Sequence, residues 1–340
     1  MRFWVGLFLL LFAVEAGAVS VTSKAQFLAE LPLTPGKTIT ITDQTISGGG
    51  DWGVVTVSGN CTQSQPCVIE AQSTHGVIAS GQGALNLNVF ASWVTIDGIR
   101  WTGQTSFGGG DSNGASSGAL IALDGAQNVT LDNIKIDNIS GGGQPIPIME
   151  LNGGRETENI TIQNMEVDGW TQNAGSAYFI YVYAKSSRGY PEHITIKDST
   201  FTYRTVTIST SNCCYWFRAG NSQGSITPGQ YDTGDSDILI DNITISNDSV
   251  TGNGQDMLHF KASGVVIQDS TFTNTTRIIN RQGDNWVFQR NTIINPNDAK
   301  NVDSVVFHNS GHLIANNLFY TNNGAKRALK LGKEIGRAHV

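Results

Sequence analysis

The sequence is poor in charge, in proline and in cysteine, and these shortages exclude several classes of protein. Only 14% of its residues are charged, and the formal net charge is −7, whereas a nucleic-acid-binding domain is normally basic. The four cysteines show no spacing typical of a zinc site. After the N-terminus no apolar run is long enough to cross a membrane. Neither a nucleic acid nor a membrane is therefore an expected partner.

Residues 1–18 predict a signal peptide. Arg2 supplies the charge, residues 3–14 are apolar, and Ala16-Gly-Ala18 fits a small-residue cleavage site. We therefore expect a secreted, extracellular and monomeric protein. Cys61 and Cys67 bracket a short loop and are expected to form a disulfide, as exported proteins allow. The adjacent Cys213 and Cys214 can either form a vicinal disulfide or stay reduced.

A short pattern of two apolar residues separated by one residue, followed two positions later by Asn, Asp or Gly, recurs loosely along the chain. Alternation with a period of two predicts strands, and recurrence at intervals of 21 to 44 residues indicates a solenoid. The Asn or Asp suits a tight bend. The repeats are Val94-Thr-Ile96, Val129-Thr-Leu131, Ile160-Thr-Ile162, Ile194-Thr-Ile196, Ile238-Leu-Ile240, Val265-Val-Ile267, Trp286-Val-Phe288 and Leu313-Ile-Ala315.

These repeats predict an all-β fold, a right-handed parallel β-helix formed by residues 19–333. A β-propeller is the rival architecture, but its blades would be more uniform, at about 40 residues each. The best helical segment is Ser23 to Leu31, which we expect to cap the N-terminal end. Residues 334–340 look like the translation of a sequencing adapter, so the β-helix is expected to be truncated at its C-terminus.

Two cationic residues occupy matching places in neighbouring repeats. Lys261 lies six residues before Ile267, and Arg281 lies seven residues before Phe288. On neighbouring coils, about 4.8 Å apart, the two cations would repel each other, which lowers the pKa of the lysine. Such a lysine can remove a proton beside a carboxylate, which indicates a lyase. The six-residue offset of Lys261 also places His308 on the next coil, where it can contact a sugar or relay a proton.

A polyanionic sugar needs a local cationic groove on a protein of negative net charge. Lys261, Arg277, Arg281 and Arg290 lie close together in the sequence, and we expect them to form such a groove. A pectin-active hydrolase would instead require paired aspartates in Asn-Thr-Asp and Asp-Asp motifs, which the chain lacks.

Several segments resemble polysaccharide lyase family six, which contains alginate lyases and chondroitinase B. The resemblance covers most of the chain, although residues 106–190 match only as generic coils. The matching segments, in chain order, are Pro35-Gly-Lys-Thr-Ile-Thr-Ile41, Pro66-Cys-Val-Ile-Glu-Ala71, Trp93-Val-Thr-Ile-Asp-Gly-Ile99, Phe217-Arg-Ala-Gly-Asn-Ser222, Phe260-Lys-Ala-Ser263, Asn280-Arg-Gln-Gly283 and Leu313-Ile-Ala-Asn-Asn-Leu-Phe319.

The resemblance implies β-elimination on a 4-linked uronic-acid polymer, with Lys261 as the base and Arg281 as the second catalytic residue. Alginate is the expected polymer, and dermatan sulfate is the other candidate. The resemblance, together with the positions of the residues in successive repeats, predicts four substrate-binding residues: Arg218, Arg277, Gln282 and His308. Alternatively, Arg218 only stabilises a coil. A mannuronan epimerase would share the chemistry without releasing unsaturated ends.

The expected calcium site departs from the family pattern. Family members carry Glu-x-Glu shortly before the catalytic lysine, and this pair binds Ca²⁺ with an earlier Asn; this chain has Gly254-Gln-Asp256 there. The remaining candidate ligands are Asp256 and Asn212, or Asn221 in its place. Because Ca²⁺ prefers about 6–8 oxygen ligands, the site is degenerate. Activity without calcium stays open, as does the alternative of a catalytically inactive carbohydrate-binding or surface β-helix.

Overall fold

The computed structural model describes residues 17–49, 51–105, 119–141, 143–150, 156–172, 178–184, 191–207, 215–220, 237–250, 256–296, 303–320 and 327–331. One short helix, α1 (Lys24–Ala29), lies in this part of the chain. The strands are β1 (Ala18–Val21), β2 (Thr38–Ile41), β3 (Gln44–Ser47), β4 (Gly53–Val57), β5 (Cys67–Ala71), β6 (Val77–Ser80), β7 (Leu85–Val89), β8 (Val94–Asp97), β9 (Ile99–Thr102), β10 (Ile121–Asp124), β11 (Gln127–Asp132), β12 (Lys135–Ser140), β13 (Ile146–Glu150), β14 (Glu158–Gln163), β15 (Glu166–Gln172), β16 (Tyr178–Ala184), β17 (Glu192–Lys197), β18 (Thr200–Val206), β19 (Tyr215–Ala219), β20 (Ile238–Asp241), β21 (Thr244–Ser246), β22 (Ser249–Val250), β23 (Asp256–Lys261), β24 (Val266–Gln268), β25 (Thr271–Thr273), β26 (Arg277–Gln282), β27 (Val287–Gln289), β28 (Thr292–Ile294), β29 (Asp303–Phe307), β30 (Leu313–Ala315), β31 (Leu318–Tyr320) and β32 (Arg327–Leu331).

The strands form three parallel sheets, and each sheet takes about every third strand of the chain. Sheet 1 has the order β1-β2-β5-β8-β11-β14-β17-β20-β24-β27-β30, sheet 2 has β3-β6-β9-β12-β15-β18-β21-β25-β28-β31, and sheet 3 has β4-β7-β10-β13-β16-β19-β23-β26-β29-β32. One coil therefore contributes a strand to each sheet in turn. This confirms the predicted all-β parallel β-helix and excludes a propeller.

The register of sheet 1 aligns the repeats as the sequence predicts. Its inner column of successively paired residues is Ile96, Leu131, Ile162, Ile196, Ile240, Ile267, Phe288 and Ile314. All of these side chains are buried. Burial of apolar surface stabilises a fold by about 25 cal/mol per Å², so this column is a main source of the stability of the solenoid.

The turns between sheets 1 and 2 use Asn and Asp in the left-handed conformation. The φ angles of Asn133, Asn164, Asp198 and Asn242 lie between 48° and 51°. The Asn side chains also bond to the preceding coil, since Nδ2 of Asn164 donates to Asp132 over 2.8 Å and Nδ2 of Asn242 donates to Asp198 over 2.8 Å. The predicted role of these residues in tight bends is confirmed.

Arg290 occupies the equivalent turn on a later coil, with a φ of 53°. Its guanidinium is exposed and binds Asp269 at 2.6 Å. The chain passes from sheet 3 to β27 of sheet 1 between Arg281 and Arg290. The expectation that Arg290 joins the cationic groove is therefore wrong, because closeness in sequence is lost where the coil turns a corner.

The N-terminal helix caps the solenoid as predicted. The Ser23 side chain accepts a hydrogen bond from the backbone N–H of Gln26, which satisfies one of the free donors of the first turn. Phe27 is fully buried, and its ring centroid lies 5.4 Å from that of Trp52.

The expected disulfide between Cys61 and Cys67 is present, whereas Cys213 and Cys214 lie outside the described residues. In the part of the chain that the structure covers, no helix is long and apolar enough to span a membrane.

An ion pair lies inside the solenoid, where apolar side chains would be expected. Arg204 on β18 and Asp248 are both fully buried and approach to 2.7 Å. The indole N–H of Trp216 donates to the same carboxylate over 3.0 Å. Nη1 of Arg204 also donates to the backbone carbonyl of Asp256 at the start of β23, over 3.3 Å. The pair therefore links sheet 2 to sheet 3 through the interior.

Replacing Asp248 by Asn should destabilise the protein by about 3–5 kcal/mol, because it leaves the buried Arg204 charge uncompensated. Urea unfolding of the two proteins measures the difference. The matched control is Asp269→Asn, which removes the exposed partner of Arg290 and should leave the unfolding midpoint unchanged. Equal midpoints for wild type and Asp248→Asn would contradict the importance of the interior pair.

Candidate active site

The candidate site lies on the outer face of sheet 3, where β16, β19, β23 and β26 are neighbours. Phe217 and Leu258 are paired and belong to the hydrophobic core. Because side chains alternate along a strand, the next pair, Arg218 and His259, faces outward. Lys261 lies two residues after His259 and shares that face. The parallel register thus brings Arg218 and Lys261 to one face, although they lie 43 positions apart in the chain.

A β-bulge brings Arg281 beside Lys261. Phe260 pairs with Asn280, but Lys261 pairs with Gln282, so Arg281 is the extra residue of β26. Bulges bend a strand locally and re-aim a side chain. Lys261 and Arg281 therefore lie on adjacent strands as the sequence predicts. The spacing of 21 residues already places Gln282 opposite Lys261, but it does not reveal the bulge that makes Arg281 an extra residue.

The backbone of Lys261 also lies tightly against the preceding coil. Gly220 follows β19 with a φ of +113°, and a Cβ atom there would come within 2.7 Å of the Cβ of Lys261. Only glycine fits such a close approach at positive φ. Gly220 therefore helps to fix the position of the lysine.

Lys261 is half-buried in a cationic environment. Its pKa is lowered from the ordinary value of 10.5, first by burial and then by the guanidinium groups of Arg218 and Arg281. Burial and neighbouring like charge both disfavour the ammonium form. The lysine is therefore suited to act as a neutral base at a lower pH than an exposed lysine.

Arg218 is a buried cation that rests on aromatic rings. Its guanidinium carbon lies 4.3 Å from the ring centroid of Tyr178, 5.3 Å from that of Tyr181 and 5.9 Å from that of Tyr215. Its side chain has no carboxylate partner among the described residues, and its buried Nε makes no hydrogen bond there. Cation–π contacts partly compensate for lost hydration, but they add no negative charge to balance that of the guanidinium.

Asp256 is held in a closed cluster at the start of β23. One carboxylate oxygen accepts from Nε and Nη2 of Arg277, at 2.6 and 2.5 Å, and the other accepts from Nδ1 of His259 at 2.9 Å. Burial acts to raise the pKa of Asp256, but His259 and Arg277 outweigh it, so the pKa is lowered. Asp256 is therefore ionised, and both of its oxygens are occupied by protein donors.

His259 is neutral in this cluster. Burial lowers its pKa below 6.5, although Asp256 acts in the opposite direction. Since Nδ1–H donates to Asp256, Nε2 is left as an acceptor. The imidazole also packs against the ring of Tyr215, with centroids 4.6 Å apart. Burial, followed by the charge of Asp256, raises the pKa of Tyr215, so its phenol stays protonated.

His308 lies on the coil after Arg281, as its offset predicts. It directly follows β29 and is half-buried, and its pKa is lowered first by burial and then by Arg281, Lys330 and Arg277. His312 fixes the local backbone, because its Nδ1 accepts from the N–H of Trp286 and its Nε2 donates to the carbonyl of His308 over 2.7 Å. The structure thus places a neutral imidazole near Arg281.

The remaining predicted site residues are Arg277, Gln282 and Asn212. Arg277 is the ionic partner of Asp256 rather than a free cation in the groove. Gln282 lies on β26, but its side chain is outside the described residues, and so is Asn212.

Sequence reasoning missed His259 and the tyrosines around Arg218. The alternation of β23 supplied a signal for His259, because a residue two positions before Lys261 must share its face.

The described residues do not fit a calcium site. They contain no group of three or more His, Cys, Asp or Glu side chains that could hold a metal ion. Asp256 is 2% exposed and both of its oxygens already accept hydrogen bonds from protein donors, and Gly254 and Asn212 lie outside the described part. A Ca²⁺ ion needs about 6–8 oxygen ligands. The degenerate motif in the sequence is therefore matched by a carboxylate that already has protein partners.

Solved structures confirm the resemblance to polysaccharide lyase family six at the level of the fold. The PL6 family alginate lyase AlyGC matches over 92% of this chain with a TM-score of 0.67 and 16% identity. The PL6 polysaccharide lyase Pedsa3628 from Pseudopedobacter saltans matches over 88% with a TM-score of 0.67 and 15% identity. A PL6 alginate lyase in complex with a trisaccharide matches over 88% with a TM-score of 0.57 and 14% identity.

These matches leave the activity open. This chain covers 40% of AlyGC, 63% of the Pseudopedobacter saltans lyase and 60% of the trisaccharide-bound lyase. A GH136 lacto-N-biosidase from Eubacterium ramulus also matches, with a TM-score of 0.51 and 13% identity, so this fold carries more than one kind of reaction. No protein-family model and no curated protein matches the sequence. The function must therefore be argued from the site.

The buried His259 predicts a pH dependence of stability. Because its pKa is lower in the folded protein than the ordinary 6.5, the unfolded chain binds a proton at this residue first as the pH falls. Its stabilising contribution is present above pH 6.5 and is lost as the pH falls towards the folded pKa. Between about pH 7 and pH 5, the free energy of unfolding should fall more steeply for wild type than for His259→Gln, by up to about 1.4 kcal/mol per pH unit. Denaturant unfolding tests this, and parallel curves would refute it.

Proposed function

We propose that this protein is a polysaccharide lyase that cleaves a 4-linked uronic-acid polymer by β-elimination. The proposed polymer is alginate. The observation that carries the proposal is the half-buried Lys261 on the outer face of sheet 3, between the guanidinium groups of Arg218 and Arg281. Such an environment favours the neutral form of a lysine and attracts an anionic sugar. Both features suit removal of a proton beside a carboxylate.

The proposed reaction begins when the neutral Nζ of Lys261 takes the proton from C5 of the uronate. The electron pair of that C–H bond forms the C4=C5 double bond as the bond between C4 and the glycosidic oxygen breaks. Arg281 donates a hydrogen bond to the charge that develops on the departing oxygen. That oxygen then takes a proton from the lysine ammonium or from water. The products are a new non-reducing end with a C4=C5 double bond and a shortened chain.

Three observations support a polymeric, exported setting. The fold is similar to that of PL6 lyases, and one of these was solved with a trisaccharide. The cationic site stands out on a protein whose net charge is −7, so an anionic polysaccharide is the proposed partner. The proposed export by the leader at residues 1–18 agrees with the disulfide between Cys61 and Cys67, which an oxidising compartment favours.

Lys261→Ala should lower the release of unsaturated product from alginate by at least about 100-fold, because general base catalysis contributes about 10²–10⁴-fold. The ultraviolet absorbance of the C4=C5 bond measures this release. The matched control is Lys197→Ala on sheet 1, which should keep wild-type activity. In wild type, kcat/KM should rise with pH through a pKa below 10.5 as the lysine loses its proton. Equal rates for the two variants would rule out Lys261 as the base.

Arg281→Ala should lower kcat by about 10²–10³-fold, the usual cost of removing one group that stabilises developing charge. Arg290→Ala is the control, since Arg290 binds Asp269 at another corner of the coil.

A folded wild-type protein that binds alginate without releasing unsaturated ends would favour the alternative, a carbohydrate-binding β-helix. Conversion of mannuronate to guluronate in the polymer, seen by NMR, would instead indicate an epimerase.

A further inference from the structure

The proposed β-elimination requires a positive group on the substrate carboxylate. Withdrawal of charge from that carboxylate makes the neighbouring C5 proton more acidic and stabilises the enolate-like transition state. A divalent cation and an arginine are two ways to supply the charge. In this site the carboxylate already has protein partners, whereas one arginine has no carboxylate partner among the described residues. This difference indicates which of the two supplies the charge.

The first observation is that the cluster of Asp256, His259 and Arg277 is closed. Both oxygens of Asp256 accept hydrogen bonds, from Arg277 at 2.6 Å and from His259 at 2.9 Å. The cluster is also tied to the interior, because Arg204 donates to the backbone carbonyl of Asp256. A metal ion would have to reach a carboxylate that is only 2% exposed and whose two oxygens already bind protein donors.

The second observation is the sign of the surrounding charge. Arg218 and Arg281 both act on Lys261, and Arg277 neutralises the nearby Asp256. A divalent cation beside these groups would add two positive charges to a site with an existing cationic excess. Like charges repel each other, so the cations already present disfavour a divalent ion at this site.

The third observation concerns Arg218 itself. The residue is 7% exposed, its guanidinium rests on three tyrosine rings, and no described carboxylate pairs with it. A buried charge without a counter-ion is costly, so an anion that enters the site gains a strong interaction. Arg218 is paired with His259 on the neighbouring strand, two residues from Lys261. A planar guanidinium can bind a carboxylate through two parallel hydrogen bonds.

We propose that Arg218 binds and neutralises the carboxylate of the uronate that Lys261 deprotonates, and that the closed Asp256 cluster makes this chain independent of calcium. This inference rests on the proposed function. It assigns to one arginine of this chain the charge that a metal ion would otherwise supply. Asp256 then serves as a positioning residue for His259 and Arg277, and not as a metal ligand.

Binding to the otherwise intact Lys261→Ala variant tests the proposal separately from catalysis. Titration calorimetry with a saturated oligouronate, in chelator, should show binding that Arg218→Gln in the same background weakens by at least about tenfold. Arg218→Lys keeps the positive charge but cannot donate two parallel hydrogen bonds, so its affinity should fall between those of the parent and of Arg218→Gln. A carboxyl-reduced, neutral oligosaccharide of the same length should bind equally to the parent and to Arg218→Gln. Arg290→Gln, at an exposed turn on another corner of the coil, is the control and should leave the affinity unchanged; thermal melts verify that each variant is folded.

Calcium supplies the second arm of the test. Addition of Ca²⁺ to wild type should leave the melting temperature, the affinity for the oligouronate and the rate of product release unchanged, since a ligand that binds the folded state would raise the melting temperature. Binding that requires Ca²⁺ and is abolished by Asp256→Asn would overturn the proposal. Equal affinities with and without the Arg218 guanidinium, or no binding of oligouronate at all, would also overturn it.

The two proposals fail in distinguishable ways. If the oligouronate binds through Arg218 but wild type releases no unsaturated product, the lyase reaction is wrong and the carboxylate site stands. If product is released and depends on Lys261 but not on Arg218, the lyase stands and the assignment of Arg218 is wrong.

Discussion

The stacking of parallel strands in register is the constraint on which the rest of this structure depends. Each coil places its strand about 4.8 Å from the one before, so residues in matching places of successive repeats are forced together whatever their charge. In sheet 1 this produces a buried apolar column. In sheet 3 the same rule brings Arg218, Lys261 and Arg281 into one site. The unfavourable proximity of these cations is maintained by the burial of the core beneath them.

The site shows two opposite ways of placing charge in a solenoid. Arg204 and Asp248 are fully buried and compensate each other, together with Trp216. Arg218 is also buried, but it faces aromatic rings in place of a carboxylate. The first arrangement ties sheet 2 to the start of β23. In the second, the positive charge has no carboxylate partner among the described residues, and our proposal of an anionic substrate rests on this.

The closed cluster of Asp256, His259 and Arg277 marks how this chain differs from the family that its fold resembles. Where the resemblance implies a pair of acidic residues, this chain has only Asp256, and its carboxylate is bound by protein donors. The fold alone does not decide the reaction, because a GH136 lacto-N-biosidase matches it as well. The functional argument therefore depends on the individual side chains of sheet 3.

Much of the fold could be predicted from the sequence, because each repeat carries its own apolar alternation and its own turn residue. Ile267 and Phe288 pair as their spacing of 21 residues predicts, and the same spacing placed Lys261 and Arg281 on adjacent strands. The bulge at Arg281 and the binding of Arg277 to Asp256 were not predictable, since they depend on local backbone geometry and on side-chain contacts across coils. Arg290 was misplaced for the same reason. The sequence by itself determined which residues repeat and therefore which strands stack. Only the tertiary structure decided which of the described charges meet an ionic partner, because that depends on contacts across coils and not on order along the chain.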